Sequence, residues 1–282
     1  MKLHRKRLRQ RVLLAFLYLA LVIPTIAALT PFLWVISTSL KTQGEVFLLP
    51  IRWIPETPMF NNYAEVFRTL PFGRYMLNTA IITVLATLGN EVSSLVVGYS
   101  LARLRWRGRE AVFGLVLATM MLPHVVTLVP QFIMFFTVGW VDTYLPLIVP
   151  SWFGSAFFIF LFRQFMRGLP IEMDESARLD GANSLQILWQ IIVPLSKPAI
   201  AAVAIFAGMA HYNDFMGPLL YISKNANFTI QLGLYQFLGY YVVKWHLQMA
   251  AATVAMAPLI ILFFVAQRHF IQGVAFTGLS GR

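Results

Sequence analysis

Six stretches of this chain stay apolar for about as long as a helix needs to cross a bilayer, roughly twenty residues at a rise of ~1.5 Å each. They cover approximately 12–36, 76–100, 111–136, 145–165, 199–221 and 249–270. Runs of this length place the chain in the membrane class, and the expected fold is all-α: a polytopic membrane protein with about six transmembrane helices. Composition agrees. Hydrophobic residues make up 59% of the chain and charged ones 12%, with a mean hydropathy of +0.70. A soluble domain of similar length has to cover its surface with polar groups and rarely reaches such values. Proline and glycine interrupt several of the runs, which membrane helices tolerate when neighbours satisfy the freed backbone groups.

The net charge of +11 raises the possibility of nucleic acid, but the bases sit in short clusters beside apolar runs, so they report topology and no nucleic-acid partner. With the N-terminus inside, sixteen of the 22 Lys and Arg residues fall on the cytoplasmic side. They are Lys2, Arg5, Lys6, Arg7, Arg9 and Arg11, the four arginines of 103–109, Arg163, Arg167, Arg178 and Lys197, and Arg268 and Arg282. The other six, Lys41, Arg52, Arg68, Arg74, Lys224 and Lys244, fall outside. Both termini are therefore expected in the cytoplasm. The organisation becomes a basic segment 1–11, a transmembrane domain 12–270 with a long cytoplasmic loop 166–198, and a tail 271–282. The first run continues through Trp34 and Ile36, long for a cleaved signal, so a retained helix is expected. Cleavage near Ala27-Ala28 would leave the remaining topology unchanged. The external stretch 41–75, rich in Pro, Trp and Tyr, reads equally as an amphipathic surface segment or as a contact for a delivery protein.

The long loop is anomalous. Glu172, Asp174, Glu175 and Asp180, four of the chain's 11 acids, fall within nine residues of it. Residues 170–198 read as two short helices joined by a glycine turn. Acids favour the positive N-terminal end of the first helix, and Asp174 and Arg178 stand in favourable i,i+4 order. Asp180-Gly181 supplies the stop, with Gly181 free to adopt a left-handed conformation. Asn183 or Ser184 caps the second helix, with Gln186 placed for a capping box after Asn183. Leu185, Leu188, Trp189 and Ile192 are expected to share one apolar face, Pro194 to end the helix, and Ser196-Lys197-Pro198 to begin the next run. Charge alone fits a solvated connector. An apolar stripe beside an acidic helix asks instead for a partner's groove.

Glu175-Ser176-Ala177, three residues, Gly181, nine residues and Ile191-Ile192-Val193-Pro194 resemble the EAA loop of ABC transporter permeases, with Ser176 for alanine and Val193 for leucine. "GYSLARLRWRGRE" (98–110), "MMLPHVVTLVPQF" (120–132), "FLFRQFMRGLPIEMDESARLDGA" (160–182) and "AQRHFIQG" (266–273) are similar to the carbohydrate branch of that family, the smaller maltose-permease type. "YNDFMGPLL" (212–220) is similar to its W-N-D-F-L-W-P-L segment, with Tyr212 and Gly217 in place of tryptophans. The resemblance implies a non-catalytic permease subunit of an ATP-driven importer. Implied partners are a second homologous permease subunit, two ATP-binding subunits, an extracytoplasmic solute-binding protein and membrane lipid. It also implies that Glu175, Ser176, Ala177, Asp180, Gly181, Ala182, Trp189, Ile191 and Pro194 form the element that docks in the ATPase cleft. Cofactors are expected only there, as ATP and Mg bound by the partners. The implied solute is a sugar or oligosaccharide, with a glycerol phosphodiester or phosphate as the alternative.

Polar residues inside the apolar runs are candidates for the solute path. Thr83, Thr87, Asn90, Glu91 and Ser94 make a polar stripe along the second run, which reads equally as path or as interhelical glue. Tyr212, Asn213 and Asp214 combine an aromatic surface with planar polar groups, as sugar sites do. Asn213 and Asp214 could equally hydrogen-bond loose backbone at a kink before Gly217-Pro218. Glu91 and Asp214 would be the ion sites of a secondary transporter, a reading that leaves the acidic loop unexplained. No G-x-x-x-x-G-K-[ST] motif occurs, and the histidines at 4, 124, 211, 246 and 269 lack metal-ligand spacing.

Overall fold

A computed structural model of the chain describes residues 2–239 and 243–279, with side chains from Leu14 onward except Ala15, His124 and those beyond Phe264. The N-terminal basic cluster, Arg268 and the C-terminal tail thus contribute charge patterns whose side chains lie outside the described residues, as does any cleavage of the first run. Every regular element among the described residues is helical. In order these are α1 (Lys2–Ser39), α2 (Asn61–Thr69), α3 (Phe72–Arg103), α4 (Arg109–Thr119), α5 (His124–Thr137), α6 (Leu145–Ile148) and α7 (Ala156–Arg167). There follow α8 (Glu172–Leu179), α9 (Ser184–Ile187), α10 (Val193–Leu195), α11 (Lys197–Tyr212), α12 (Met216–Tyr221), α13 (Ile230–Gln236) and α14 (Trp245–Leu279).

Four spans are long and apolar enough to cross a membrane: Phe16–Ser39, Phe72–Arg103, Leu145–Arg167 and Trp245–Phe264. Two of the six expected runs are built differently. The third, 111–136, is broken at Met121-Leu122-Pro123 into α4 and the 14-residue α5, because Pro123 holds an extended backbone (φ −60°, ψ 130°). The fifth contains α11, only 16 residues long, which meets the preceding helical segment Ser184–Leu195 at a bend of 79°. Only together with that segment is it long and apolar enough to cross a membrane.

The chain divides into two compact units, Met1–Leu70 with Leu234–Ala257 and Pro71–Gly233 with Pro258–Arg282. In the first, the stretch after α1 is folded back by hydrogen bonds. Asn62 Nδ2 donates to the carbonyls of Ser39 (2.8 Å) and Lys41 (2.9 Å), capping the open end of α1, and Tyr63 Oη meets Ser39 Oγ at 2.7 Å. Lys41 is buried with its ammonium 4.1 Å from the centre of the Trp34 ring, which lowers its pKa through desolvation against the raising effect of Glu45. Gln43 donates to Val243 O (2.7 Å) and pairs with His246 (2.6 Å). The expected amphipathic segment is thus an ordered structure.

The second unit is organised around α3, against which α7 and α11 pack. Small residues allow the close approach: a Cβ at Gly98 would lie 2.7 Å from Phe162 Cβ, and one at Gly89 2.6 Å from the Trp152 ring. The core joins Leu95 and Tyr99 of α3, Phe158, Phe162 and Met166 of α7, and Ala199, Val203 and Ala207 of α11. Ile187, Leu188 and Ile192 from the acidic loop complete it. At the other end of α3, Asn78 Nδ2 donates to the carbonyls of Ala226 (3.0 Å) and Phe228 (2.9 Å), and Thr79 Oγ1 accepts from Ile230 N (2.8 Å). Asp142 steadies the same 222–230 segment. The backbone N–H groups of Ser223 (2.6 Å) and Lys224 (2.9 Å) donate to its carboxylate and hold its pKa below the usual carboxylate range.

Candidate functional site

The acidic loop folds as a helix, a left-handed glycine and a capped second helix. Glu172, Asp174 and Glu175 occupy the first turn of α8, where the exposed backbone N–H groups favour negative charge. The helix stops at Asp180, and Gly181 follows at φ +87°, a conformation only glycine adopts without strain. Nothing lies within 4 Å of where its Cβ would be, so backbone strain, not crowding, selects glycine there. Asn183 caps α9 in a complete capping box: its Oδ1 accepts from Gln186 N (2.9 Å), while its own N–H donates to Gln186 Oε1 (2.8 Å).

Three expectations for the loop are corrected. Asp174 does not pair with Arg178. It is buried (side-chain exposure 1%) and accepts a two-pronged pair from Arg103, Nη2 to Oδ1 at 2.9 Å and Nε to Oδ2 at 3.1 Å. A buried guanidinium, always charged and fork-shaped, outcompetes a partner one turn away in solvent. The apolar stripe is also divided. Leu188 and Ile192 are buried at about 1% exposure or less, whereas Leu185 (65%) and Trp189 (51%) are exposed. The residues Leu188–Ile192 form a wider, π-type turn, which rotates the row off a single face. Finally, Pro194 does not end the helix. It sits at the start of α10, and the break falls two residues later at Ser196.

The remaining loop residues group on the surface. Glu175, Ser176, Asp180, Gly181 and Pro194 are exposed, Ala182 and Ile191 half-buried, and Ala177 buried. Ala177, Asp180, Gly181, Ala182 and Ile191, with Gln186 and Gln190, line a shallow concavity of 340 Å³. Leu179 (89% exposed), Leu185 and Trp189 stand free on the same loop. The Glu175 side chain is exposed and has no hydrogen-bond or ion-pair partner among the described residues, its backbone N–H donating to Ile171 O (3.2 Å).

The polar stripe of α3 has mixed partners. Ser94 is fully buried and accepts from Ser155 N (3.1 Å), and Asn90 pairs with His211 Nε2 of α11 (2.9 Å); both join helices. The hydroxyls of Thr83 and Thr87 and both carboxylate oxygens of Glu91 are shielded and unpartnered among the described residues. Near the break after α11, Asn213 Nδ2 donates to Met209 O (2.9 Å) and its Oδ1 accepts from Gln231 (3.4 Å). Asp214 Oδ1 accepts from Gly217 N (3.1 Å), so both side chains hold backbone or a neighbour at the break. Tyr212 is buried. Gly217 is required by the same turn, since a Cβ there would meet Asp214 Oδ2 at 2.5 Å and Leu147 Cδ2 at 2.8 Å. No group of three or more potential metal ligands occurs among the described residues.

Residues 94–276 match the family described as binding-protein-dependent transport system inner membrane component. The chain belongs to that family. It is 31% identical over 257 residues to the arabinooligosaccharides transport system permease protein of Halalkalibacterium halodurans, covering 90% of this chain and 92% of the relative. It is 30% identical over 271 residues to the probable starch degradation products transport system permease protein of Thermoanaerobacterium thermosulfurigenes, covering 94% and 95%. Its fold matches a chain in the crystal structure of a bacterial ABC transporter involved in the import of the acidic polysaccharide alginate. The TM-score is 0.82 at 23% identity, over 92% of this chain and 97% of that one. The resemblance read from the EAA-like loop therefore holds at the level of family and fold, and the chain is an integral component of the inner membrane.

Within this inner membrane component, two arginines first read only as topology signals are structural centres. Besides Asp174, Arg103 donates to Leu169 O and Pro170 O, each at 2.8 Å. Arg163, 3% exposed, grips Glu110 (2.7 and 2.9 Å), donates to Leu101 O (3.2 Å) and stacks 3.7 Å over Phe113. Their positions at the ends of apolar runs were visible in sequence. Their partners, 71 and 53 residues distant, were not.

Proposed function

We propose that this chain is one of two homologous permease subunits of an ATP-driven importer, and that the solute is a sugar or oligosaccharide. The observation that supports the sugar is the naming of its relatives, permeases for arabinooligosaccharides and for starch degradation products, at 31% and 30% identity over nearly the whole chain. In this reading the N- and C-termini are cytoplasmic, as the basic clusters favour. The loop 166–198 docks into a cytoplasmic ATP-binding subunit, two of which serve the complex. The exposed Glu175, the left-handed turn at Gly181, the concavity around Asp180 and Ala182, and the free Leu185 and Trp189 support that role. Ser176, Ala177, Ile191 and Pro194 complete the docking element.

An extracytoplasmic binding protein delivers the solute. The partners' ATP-driven closure shifts the pore between inward and outward access, and this chain catalyses no covalent step. Asn90, Glu91, Tyr212, Asn213 and Asp214 remain candidates for the path. Of these, Glu91 is favoured by a carboxylate with no partner among the described residues, because an acid in the membrane without a partner is a costly feature to maintain. The test is uptake by the complex reconstituted in vesicles with its ATPase and binding protein, across a panel of sugars and a glycerol phosphodiester. ATP-dependent uptake of a sugar is expected. Uptake driven by an ion gradient without ATP, or of the phosphodiester alone, would refute the reading.

A further inference from the structure

The acidic loop has two covalent exits, and both are bends. Towards α7 the chain turns through residues 168–171, and towards α11 it bends by 79° at Ser196. A push on α8 could be absorbed at either joint. Arg103, the last residue of α3, spans the first joint. Its guanidinium holds Leu169 O, Pro170 O and the carboxylate of Asp174 at once, all between 2.8 and 3.1 Å, with both side chains at 3% exposure or less. One turn earlier on α3, Tyr99 Oη donates to Ser184 O, the first residue of α9 (3.1 Å). Leu95, one turn further back, packs in the same core as Ile187, Leu188 and Ile192 of the loop. Both halves of the loop are thus bound to one helix that is remote from them in sequence.

The row of α3 that makes these contacts continues into the membrane at the same four-residue spacing: Arg103, Tyr99, Leu95, Glu91, Thr87, Thr83. In its far part the side-chain oxygens of Glu91, Thr87 and Thr83 are shielded and unpartnered among the described residues, with Thr87 beside Gly208 of α11. We propose that Arg103 is a positioning residue that makes the loop and α3 one rigid body, so that motion of the loop enters the membrane through α3 and moves the row carrying Glu91. Packed elements of this kind shift as units, because interiors close-packed to crystal density do not deform smoothly. A buried fork of four hydrogen bonds has no graded way to yield: breaking it strands a charge. The inference rests on the importer reading for its consequence, and on geometry alone for the rigid body.

The test uses the complete transporter. Because the chain contains no cysteine, two introduced ones are unique labelling sites within it. Spin labels at Val96 on α3 and Glu172 on α8, both exposed, should give one narrow distance distribution that is the same with and without ATP. In Asp174→Asn, which weakens the fork while keeping its shape, the distribution should broaden. Sugar taken up per ATP hydrolysed should fall about tenfold, the scale of one lost charge-assisted hydrogen bond. If Asp174→Asn does not assemble, Arg103→Lys is read in the same way, since an ammonium keeps the charge but cannot fork. A wild-type distance that shifts with ATP would overturn the rigid body. Uptake and hydrolysis falling together, at an unchanged ratio, would reduce Arg103 to a fold-stabilising residue. A wild-type complex that moves no sugar refutes the importer reading instead and leaves the distance measurement intact.

Discussion

Replacing Gly98 by alanine tests the α3–α7 crossing around which the second unit is built. The added Cβ would lie 2.7 Å from Phe162 Cβ, 3.3 Å from Arg163 N and 3.3 Å from Ile159 O. Two of these are backbone atoms and the third is the root of a side chain at 0% exposure, so no rotamer change relieves the contact. The helices would have to separate. Optimal carbon contacts are about 3.5–4.0 Å, so separation by the better part of an ångström loosens every neighbouring contact. Overpacking of this kind costs about 1–3 kcal/mol, against a gain of about 1 kcal/mol from the higher helix propensity of alanine. With backbone atoms in the way the upper part of that range applies, about 2–3 kcal/mol, so the expected net loss is about 1–2 kcal/mol. Gly114 in α4 supplies the control, since nothing lies within 4 Å of its Cβ and alanine there keeps the propensity gain without the clash. Thermal unfolding of the detergent-solubilised complex should show Gly98→Ala melting about 5 °C lower. Gly114→Ala should melt at or above the wild type. A Gly98→Ala complex as stable as the wild type would refute the close crossing and the packing argument drawn from it.

The docking reading makes a clean distinction at Gly181. Gly181→Val, forced to φ +87°, should lose about 1–2 kcal/mol and weaken co-purification with the ATPase, while Gly181→Asn, which tolerates that conformation, should retain it. Glu175→Lys, on an exposed and unpaired side chain, should leave membrane insertion and melting unchanged but separate ATP hydrolysis from uptake; coupled uptake at the wild-type rate would remove Glu175 from the docking element. Asn213→Ala removes the bonds to Met209 O and Gln231, so a lower melting temperature with an unchanged uptake KM is expected if the side chain only holds the break. A raised KM at constant stability would place it on the solute path.

The acidic loop shows how far local sequence reaches. Its turn was legible because Gly181 and the Asn183-x-x-Gln186 box act within a few residues, where spacing and conformation are directly coupled. The partner of Asp174 was not, because an i,i+4 arginine and a distant one look alike until burial separates them. Arg178 stays in solvent, where a pair contributes a few tenths of a kcal/mol, while Arg103 is buried, so that losing its carboxylate would strand a charge. The fate of Leu185, Leu188, Trp189 and Ile192 was hidden for a similar reason. An apolar row has the same pattern whether or not all of it enters the chain's own core, and here Leu188 and Ile192 do while Leu185 and Trp189 stay exposed.

By itself the sequence determined the membrane class, the all-helical character and the family, since these follow from the lengths of apolar runs and from short motifs whose spacing is local. It also located the loop and its turn. Tertiary structure alone decided that the third run breaks at Pro123, that the fifth meets the loop at a 79° bend, and that Asn90 finds His211 while Glu91 has no partner among the described residues. It also decided that two arginines marking the ends of runs are the fasteners between them. The physical reason is that hydropathy sums over neighbours in the chain, whereas the cost of a buried charge depends on which group, tens of residues away, is folded against it.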